Sequence, residues 1–343
     1  MLRGKARSDD EKWQEVKRQI AVRNIFLLQE LREILLACNR AGIKVLVLKG
    51  AALTESLYPH LGVRQFADLD LLFQPEDMPG VIEIFRSSGY QPLILEADQV
   101  QTWTERFGWL GMIGITYIKR KELTIMADAH WALGCAGTYL DRLDIKGMWQ
   151  RARREKVAGV DALILSPEDL LIYLCLHLYK HLPYNSLTSA CDIAELLKQS
   201  ADQIDWEAFI SRVLKAKLCL PIRFTLEQVS QNFPCPIPPW VWEKLNNCPT
   251  GIMERLALRI GKSPGKSHSS GRYILACFLN VLGTGRKLGY LRRIFLPDRK
   301  FIIWRYGRRK SLPLCYIMHI LRVLKAAGLA MLPGKRKTEV PDG

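Results

Sequence analysis

Apolar positions recur along this chain with two different periods, and each change of period marks a part. From residue 10 to residue 41 they recur at helical spacing, most densely in "IFLLQELREILLAC", and the pattern stops at "NRAG". This predicts one long helix or two shorter ones. "IKVLVLKG", 43 to 50, is a compact run closed by Gly50 and reads as a buried strand. "AALTESLYP" reads as a short helix stopped by Pro59, "DLDLLF" as a second strand, and "PEDMPGVIEIFRSSGY" as a helix ending at Gly89. "WLGMIGITYI" and "LTIMADAHWAL" flank "KRKE" and predict a β-hairpin. On its second strand Thr124, Met126, Asp128 and His130 fall on one face, because side chains alternate along a strand.

The texture changes after "VDALILSPEDLL". Ser166, Pro167 and Asp169 form a helix-start signature: a capping oxygen, a proline in the first turn and an acid near the positive end. Helical spacing continues to about residue 230, through "LLIYLCLHLYKHL", "ACDIAELLKQ" and "WEAFISRVLKA". "PCPIPPW", 234 to 240, is a rigid turn or linker, and further helical segments follow. The expected fold class is α+β, a small mixed β-sheet domain beside a mainly α-helical second domain. The expected parts are an N-terminal helical segment over 1–42, the sheet domain over 43–160, a helical domain over 165–283 and a C-terminal region over 284–343.

Composition narrows the class. Of 343 residues, 48% are hydrophobic and 24% charged, the balance of a globular protein rather than a disordered one. The nine cysteines are scattered and odd in number, without a CxxC or a Cys/His cluster, so neither a disulfide framework nor a zinc site is expected. A reducing cytoplasm suits that usage, and the charged N-terminus lacks the apolar core of a signal peptide. The longest apolar run, Leu312 to Leu332, carries His319, Arg322 and Lys325, which argues against a membrane span.

Charge adds a partner class. The net charge is +16, and from Thr284 onward fifteen Lys/Arg face three acids. Such a region suggests an anionic partner, whether lipid headgroups, nucleic acid or a phosphorylated substrate; a solvated basic surface would look the same. The amphipathic run 312–332, with His319, Arg322 and Lys325 as its polar stripe, is expected either to lie at the inner face of a membrane or to pack on its own domain.

The candidate chemistry lies in "RQFADLDLLF". Asp68 and Asp70 share one strand face and repel one another unless a cation intervenes. Asp128 belongs to another strand of the same small sheet. If the strands adjoin, three carboxylates converge, and Mg2+ (or Mn2+) is the natural guest for oxygen ligands that leave room for phosphate. Two acids at a strand end in water would give the same D-x-D pattern.

"VLKGAALTESLYPHLGVRQFADLDLLF" followed by "IMADAHWAL" resembles the uncharacterised nucleotidyltransferase family of the DNA polymerase β superfamily. The resemblance implies a polymerase β-like palm domain and transfer of a nucleoside monophosphate from a nucleoside triphosphate (NTP) to a hydroxyl, with pyrophosphate released. It implies that Asp68 and Asp70 ligate the metal and that Asp128 is the third, catalytic carboxylate. Gly50 would open the turn that holds the triphosphate.

The superfamily usually has Gly-Ser or Gly-Gly in that turn, where this chain has Lys49-Gly50-Ala51. Lys49 is therefore a candidate phosphate contact, and Arg64 a candidate for steadying phosphate or carboxylates through its planar fork. His130 is expected to orient an acid or the substrate. His177, His181 and Asp192, on the following helices, are expected to line the cleft, and Tyr58 to pack. The acceptor is a hydroxyl-bearing small molecule, peptide or RNA. The competing reading is a non-catalytic nucleotide- or partner-binding module that kept the fold.

Overall fold

A computed structural model of the protein describes residues 2–93, 113–121, 123–134, 137–181, 186–261, 271–297, 299–307 and 311–331. Residues 109–112, expected to begin the first hairpin strand, lie outside these. The chain forms two compact units, residues 1–135 with 139–249, and residues 136–138 with 250–343.

The first unit is built on a mixed seven-stranded sheet in the order β3-β4-β5-β2-β1-β7-β6. Helix α1 (Leu2–Arg40) leads into β1 (Leu46–Val47), α2 (Ala51–Ser56), β2 (Asp68–Leu72) and α3 (Met78–Ser87). Strands β3 (Gln91–Pro92), β4 (Gly114–Arg120) and β5 (Thr124–His130) follow, then α4 (Ile145–Arg151), β6 (Arg153–Val157) and β7 (Val160–Ile164). Five helices complete the unit: α5 (Pro167–His181), α6 (Ser186–Ser200), α7 (Trp206–Lys215), α8 (Cys219–Ser230) and α9 (Pro239–Asn246).

Alternation along the strands sorts two cores. Leu69 and Leu71 of β2, Ile115 and Tyr117 of β4 and Ile125, Ala127 and Ala129 of β5 point to one face. There they pack with Leu31, Ile34 and Leu35 of α1 and Val81 and Phe85 of α3. The opposite face carries Leu46, Leu48 and Leu72, which join the core of α5 to α9 through residues such as Leu171, Leu174, Ile193, Phe209 and Leu226. The sheet and helices α5 to α9 therefore share one hydrophobic core. Asp68, Asp70, Asp128 and His130 belong to this second face, beside Leu72.

Helix α5 starts where its sequence says it should: Ser166 Oγ accepts from the Asp169 amide at 3.4 Å. Asp169 in turn pairs with Arg151 at 2.8 Å and Arg212 at 3.1 Å, tying α4 and α7 to the first turn. The β6–β7 hairpin has no counterpart in the expected elements. Strand β6 is an edge strand whose Arg153, Arg154, Glu155 and Lys156 are all exposed, so it shows no alternation. Charges of this kind protect an edge from pairing with other chains. Its turn puts Ala158 and Gly159 at φ 50° and 71°, the left-handed pair of a two-residue hairpin loop, with alanine where asparagine is usual.

The cysteine expectation is corrected at one place: Cys219 and Cys248 are joined as a disulfide across 29 residues, pinning α8 to the chain after α9. Spacing alone could not pair two cysteines so far apart.

The second unit is helical in its described residues, with α10 (Ile252–Gly261), α11 (Gly271–Asn280), α12 (Thr284–Phe295), α13 (Arg299–Tyr306) and α14 (Leu312–Met331). No helix is long and apolar enough to cross a membrane among the described residues. His319 corrects another expectation. Rather than joining Arg322 and Lys325 on a polar stripe, it is buried, its Nε2 2.9 Å from the Ile294 carbonyl and its Nδ1 3.2 Å from the Tyr306 hydroxyl.

Candidate active site

The parallel pairing of β2 with β5 sets the site. Its register places Asp70 opposite Asp128, with Asp68 opposite Met126 and Leu72 opposite His130. Two carboxylates thus face each other across a single ladder step, from positions 58 residues apart in sequence. Asp70 is buried at 5% exposure, whereas Asp68, Asp128 and His130 are half-buried. One ligand atom from each of Asp70, Asp128 and His130 lies within 4.8 Å of the others. Asp68 is outside that group but stands on the same face one pleat earlier, close enough for Asp70 and Asp128 to act on its charge.

Every member of the cluster is oriented by a neighbour. Lys49 Nζ stands 2.9 Å from Asp70 Oδ2, close enough for an ion pair but not aimed as a hydrogen bond, so Oδ2 lacks a well-directed donor. His130 Nε2 is 3.4 Å from Asp70 Oδ1, and its buried Nδ1 has no partner among the described residues. Thr116 on β4, directly opposite Asp128, donates its hydroxyl to Asp128 Oδ1.

The two aspartates of β2 are driven apart in acidity. Burial pushes both carboxyls up. At Asp70, Lys49 and His130 outweigh burial and hold the group well below the usual carboxylate range. At Asp68, burial and the like charge of Asp70 prevail over Lys49, with Asp128 adding to the rise, and the carboxyl is pushed up to about 6. Lys49 is itself raised: burial opposes its charge, but Asp70 and Asp68 more than compensate.

The turn after β1 is held just as firmly. Gly50 has φ 55° and ψ −103°, outside the comfortable range of other residues, and a Cβ there would touch the Asp68 carbonyl at 3.4 Å. Its carbonyl accepts from the Thr54 amide at 3.0 Å, the Thr54 hydroxyl at 2.8 Å and Arg64 Nη1 at 3.4 Å.

Arg64 spends the rest of its fork on Asp192 of α6, Nε to Oδ1 at 2.7 Å and Nη2 to Oδ2 at 2.8 Å. Tyr58, expected to pack, also donates to Asp192 Oδ1 at 2.8 Å, and burial with the Asp192 charge raises its hydroxyl pKa. From the other side Asn24 of α1, fully buried, donates to the carbonyls of Leu61 and Arg64 at 2.7 Å each. Thus Arg64 and Asp192 anchor the wall of the site and bind no carboxylate of β2.

Two residues went unnoticed in sequence. Thr54 is invisible as a functional position except by its i+4 spacing from Gly50. Tyr173 of α5 is buried against the cluster; burial and the fields of Asp70, Asp68 and Asp128 raise its hydroxyl well above the ordinary value. His177, four residues on, is half-buried with its ring 6.1 Å from that of Tyr173. The His181 side chain lies outside the described residues.

The chain belongs to the family described as uncharacterised nucleotidyltransferase, which matches residues 6–234 and so covers every residue of the site. No curated protein matches the chain.

Among solved structures, the antibiotic-resistance factor ANT(2'')-Ia is 11% identical, over 60% of this chain and 94% of its own, with a TM-score of 0.37. An antigenic nucleotidyltransferase-like protein from Paracoccidioides brasiliensis is 13% identical, over 68% and 93%, with a TM-score of 0.36. At these values neither carries an argument about this chain's chemistry.

Proposed function

We propose that the protein is a metal-dependent nucleotidyltransferase that moves a nucleoside monophosphate from an NTP to a hydroxyl acceptor and releases pyrophosphate. The observation that carries the reading is the in-register pair Asp70–Asp128 with His130 at its edge. The donor set fits a divalent cation: two carboxylates and an imidazole converge, and one carboxylate oxygen and one ring nitrogen lack directed partners. Mg2+ or Mn2+ would be held by Asp70 and Asp128, with Asp68 and His130 beside them. Such an ion, when bound, polarises phosphate oxygens and lowers the pKa of a nearby hydroxyl.

The chain's own residues supply the rest. The acceptor oxygen forms a bond to the α-phosphorus, the α–β bridging bond breaks, and pyrophosphate leaves with the bonding electrons. Asp128 takes the hydroxyl proton. Its Oδ1 is occupied by Thr116, and Oδ2 has no hydrogen bond among the described residues. The Gly50 turn, fixed by Thr54 and Arg64, receives the phosphates at its backbone, and Lys49, 2.9 Å from Asp70, supplies an ammonium for a phosphate oxygen. Arg64, Asp192 and Tyr58 position that turn. The acceptor is a hydroxyl-bearing small molecule, peptide or RNA.

A specific contact favours the second reading, a nucleotide-binding module without turnover: the Lys49 ammonium lies 2.9 Å from Asp70 and offsets its charge. Transfer of label from α-labelled NTPs into small-molecule and macromolecular extracts, with Mg2+, separates the two. Catalysis predicts label transfer that Asp128→Asn abolishes. Nucleotide binding without transfer from any NTP supports the second reading.

A further inference from the structure

Residues 250–343 hold twenty Lys/Arg against four Asp/Glu, and residues 1–249 hold thirty of each. The whole net charge of +16 therefore belongs to the second unit. Among its described residues, that unit also shows an unpartnered apolar face. On α14, Leu314, Ile317, Leu321 and Leu324 are 46%, 54%, 60% and 52% exposed. At 100° per residue these four fall within about 80° of arc, a stripe along one side of the helix. The inward side of the same helix holds Cys315 and His319, so the stripe is not a core face turned the wrong way. Arg322 and Lys325 are exposed beside it, and on α12 the exposed Leu288 sits among exposed Arg286 and Arg292. None of these four cations forms an ion pair among the described residues.

We infer that this face of the second unit docks on an anionic lipid bilayer, its leucines and isoleucine entering the headgroup boundary and its free cations meeting the lipid phosphates. Chemistry selects this occupant over others. A second copy of the chain would bring another unit of the same sign against this one, and like charge opposes that pairing. Nucleic acid would satisfy the cations but leave the aliphatic stripe in water, since base stacking calls for aromatic rings. An anionic bilayer answers both features at once, aliphatic side chains for the acyl boundary and basic ones for the surface potential. The inference needs nothing from the carboxylate site.

The test uses the full chain with two exposed double variants, Ile317→Asp/Leu321→Asp and Arg322→Glu/Lys325→Glu. Their melting curves should match the parent, because none of the four side chains is buried. Flotation with vesicles of phosphatidylcholine, with and without phosphatidylglycerol, reads the binding. The expected result is capture by the phosphatidylglycerol vesicles only, weakened by salt and reduced roughly tenfold or more by either variant. The inference is overturned by equal recovery with both vesicle types or by no recovery with either. A concentration-dependent dimer that Ile317→Asp/Leu321→Asp dissolves would also overturn it, assigning the stripe to a second copy. So would binding of an RNA oligonucleotide, without vesicle capture, that this variant leaves intact.

Discussion

The two units of this chain handle charge in opposite ways. The first carries equal numbers of acids and bases and pairs its chemistry-bearing charges in buried or half-buried positions: Asp70 with Lys49 and His130, Arg64 with Asp192, Asp169 with Arg151 and Arg212. The second carries the entire excess and leaves much of it in water beside aliphatic side chains. A buried charge must be paired where it stands, so it encodes a fixed geometry; an exposed one costs little and encodes only attraction to something outside. The family match ends at residue 234, within the first unit. The contrast separates a built site from an approach surface.

The largest effect expected is on turnover. Asp128→Asn should lower nucleotidyl transfer by roughly 10²–10⁴-fold, the range for losing a group that handles the proton, and Asp70→Asn, which removes a proposed cation ligand, should lower it as well. Vesicle capture by the second unit should not change in either variant. A loss of capture would dissolve the division between the units.

The next effect is on stability. Arg64→Ala leaves Asp192 buried without its fork and should cost about 3–5 kcal/mol in urea unfolding. Arg64→Lys should recover only part, because one ammonium cannot serve both oxygens of Asp192 and the Gly50 carbonyl. A cost near zero would show that the anchor is not buried as described.

How far could such contacts be read beforehand? The D-x-D strand, the hairpin around "KRKE", the short helix after Gly50 and the helix start at Ser166 were all legible, because alternation, turn residues and caps are local. The face shared by Asp128 and His130 was legible for the same reason. What placed Asp128 opposite Asp70 was the parallel register of β2 and β5, a long-range choice that no local pattern encodes. Arg64 and Asp192 meet across 128 residues, a pairing that no local pattern encodes. The β6–β7 hairpin was hidden because an exposed edge strand does not alternate. His319 reads in sequence as part of a polar stripe because its polarity, not its two partners, is all that a sequence shows.

A smaller effect concerns pH. Asp68 titrates near 6 in the folded chain against an ordinary 3.8, so the native state binds the extra proton between those values. Its contribution to stability is complete below about pH 4, declines as pH rises through 6 and is flat above, about 3 kcal/mol in all. Asp70 runs the other way: its lowered pKa contributes above the ordinary carboxylate range and is lost as acid is added. In metal-free protein, Asp68→Asn should therefore raise neutral-pH stability and flatten the parent's decline between pH 4 and 6. Parallel urea midpoints for parent and variant would show that Asp68 is not strained by Asp70.

The smallest effect is expected in the second unit. Arg322→Glu/Lys325→Glu should move the unfolding free energy by less than about 0.5 kcal/mol while altering lipid capture. A large loss of stability would mean that these cations are structural after all.

The central claim is that Asp70 and Asp128 together hold a divalent cation beneath a nucleotide. Electron paramagnetic resonance of Mn2+, titrated into the protein with a non-hydrolysable NTP analogue, measures it directly. The account predicts, in the parent, loss of the free-ion signal beyond that caused by the analogue alone, and no such excess in Asp70→Asn/Asp128→Asn. Equal Mn2+ uptake by the two proteins would contradict it.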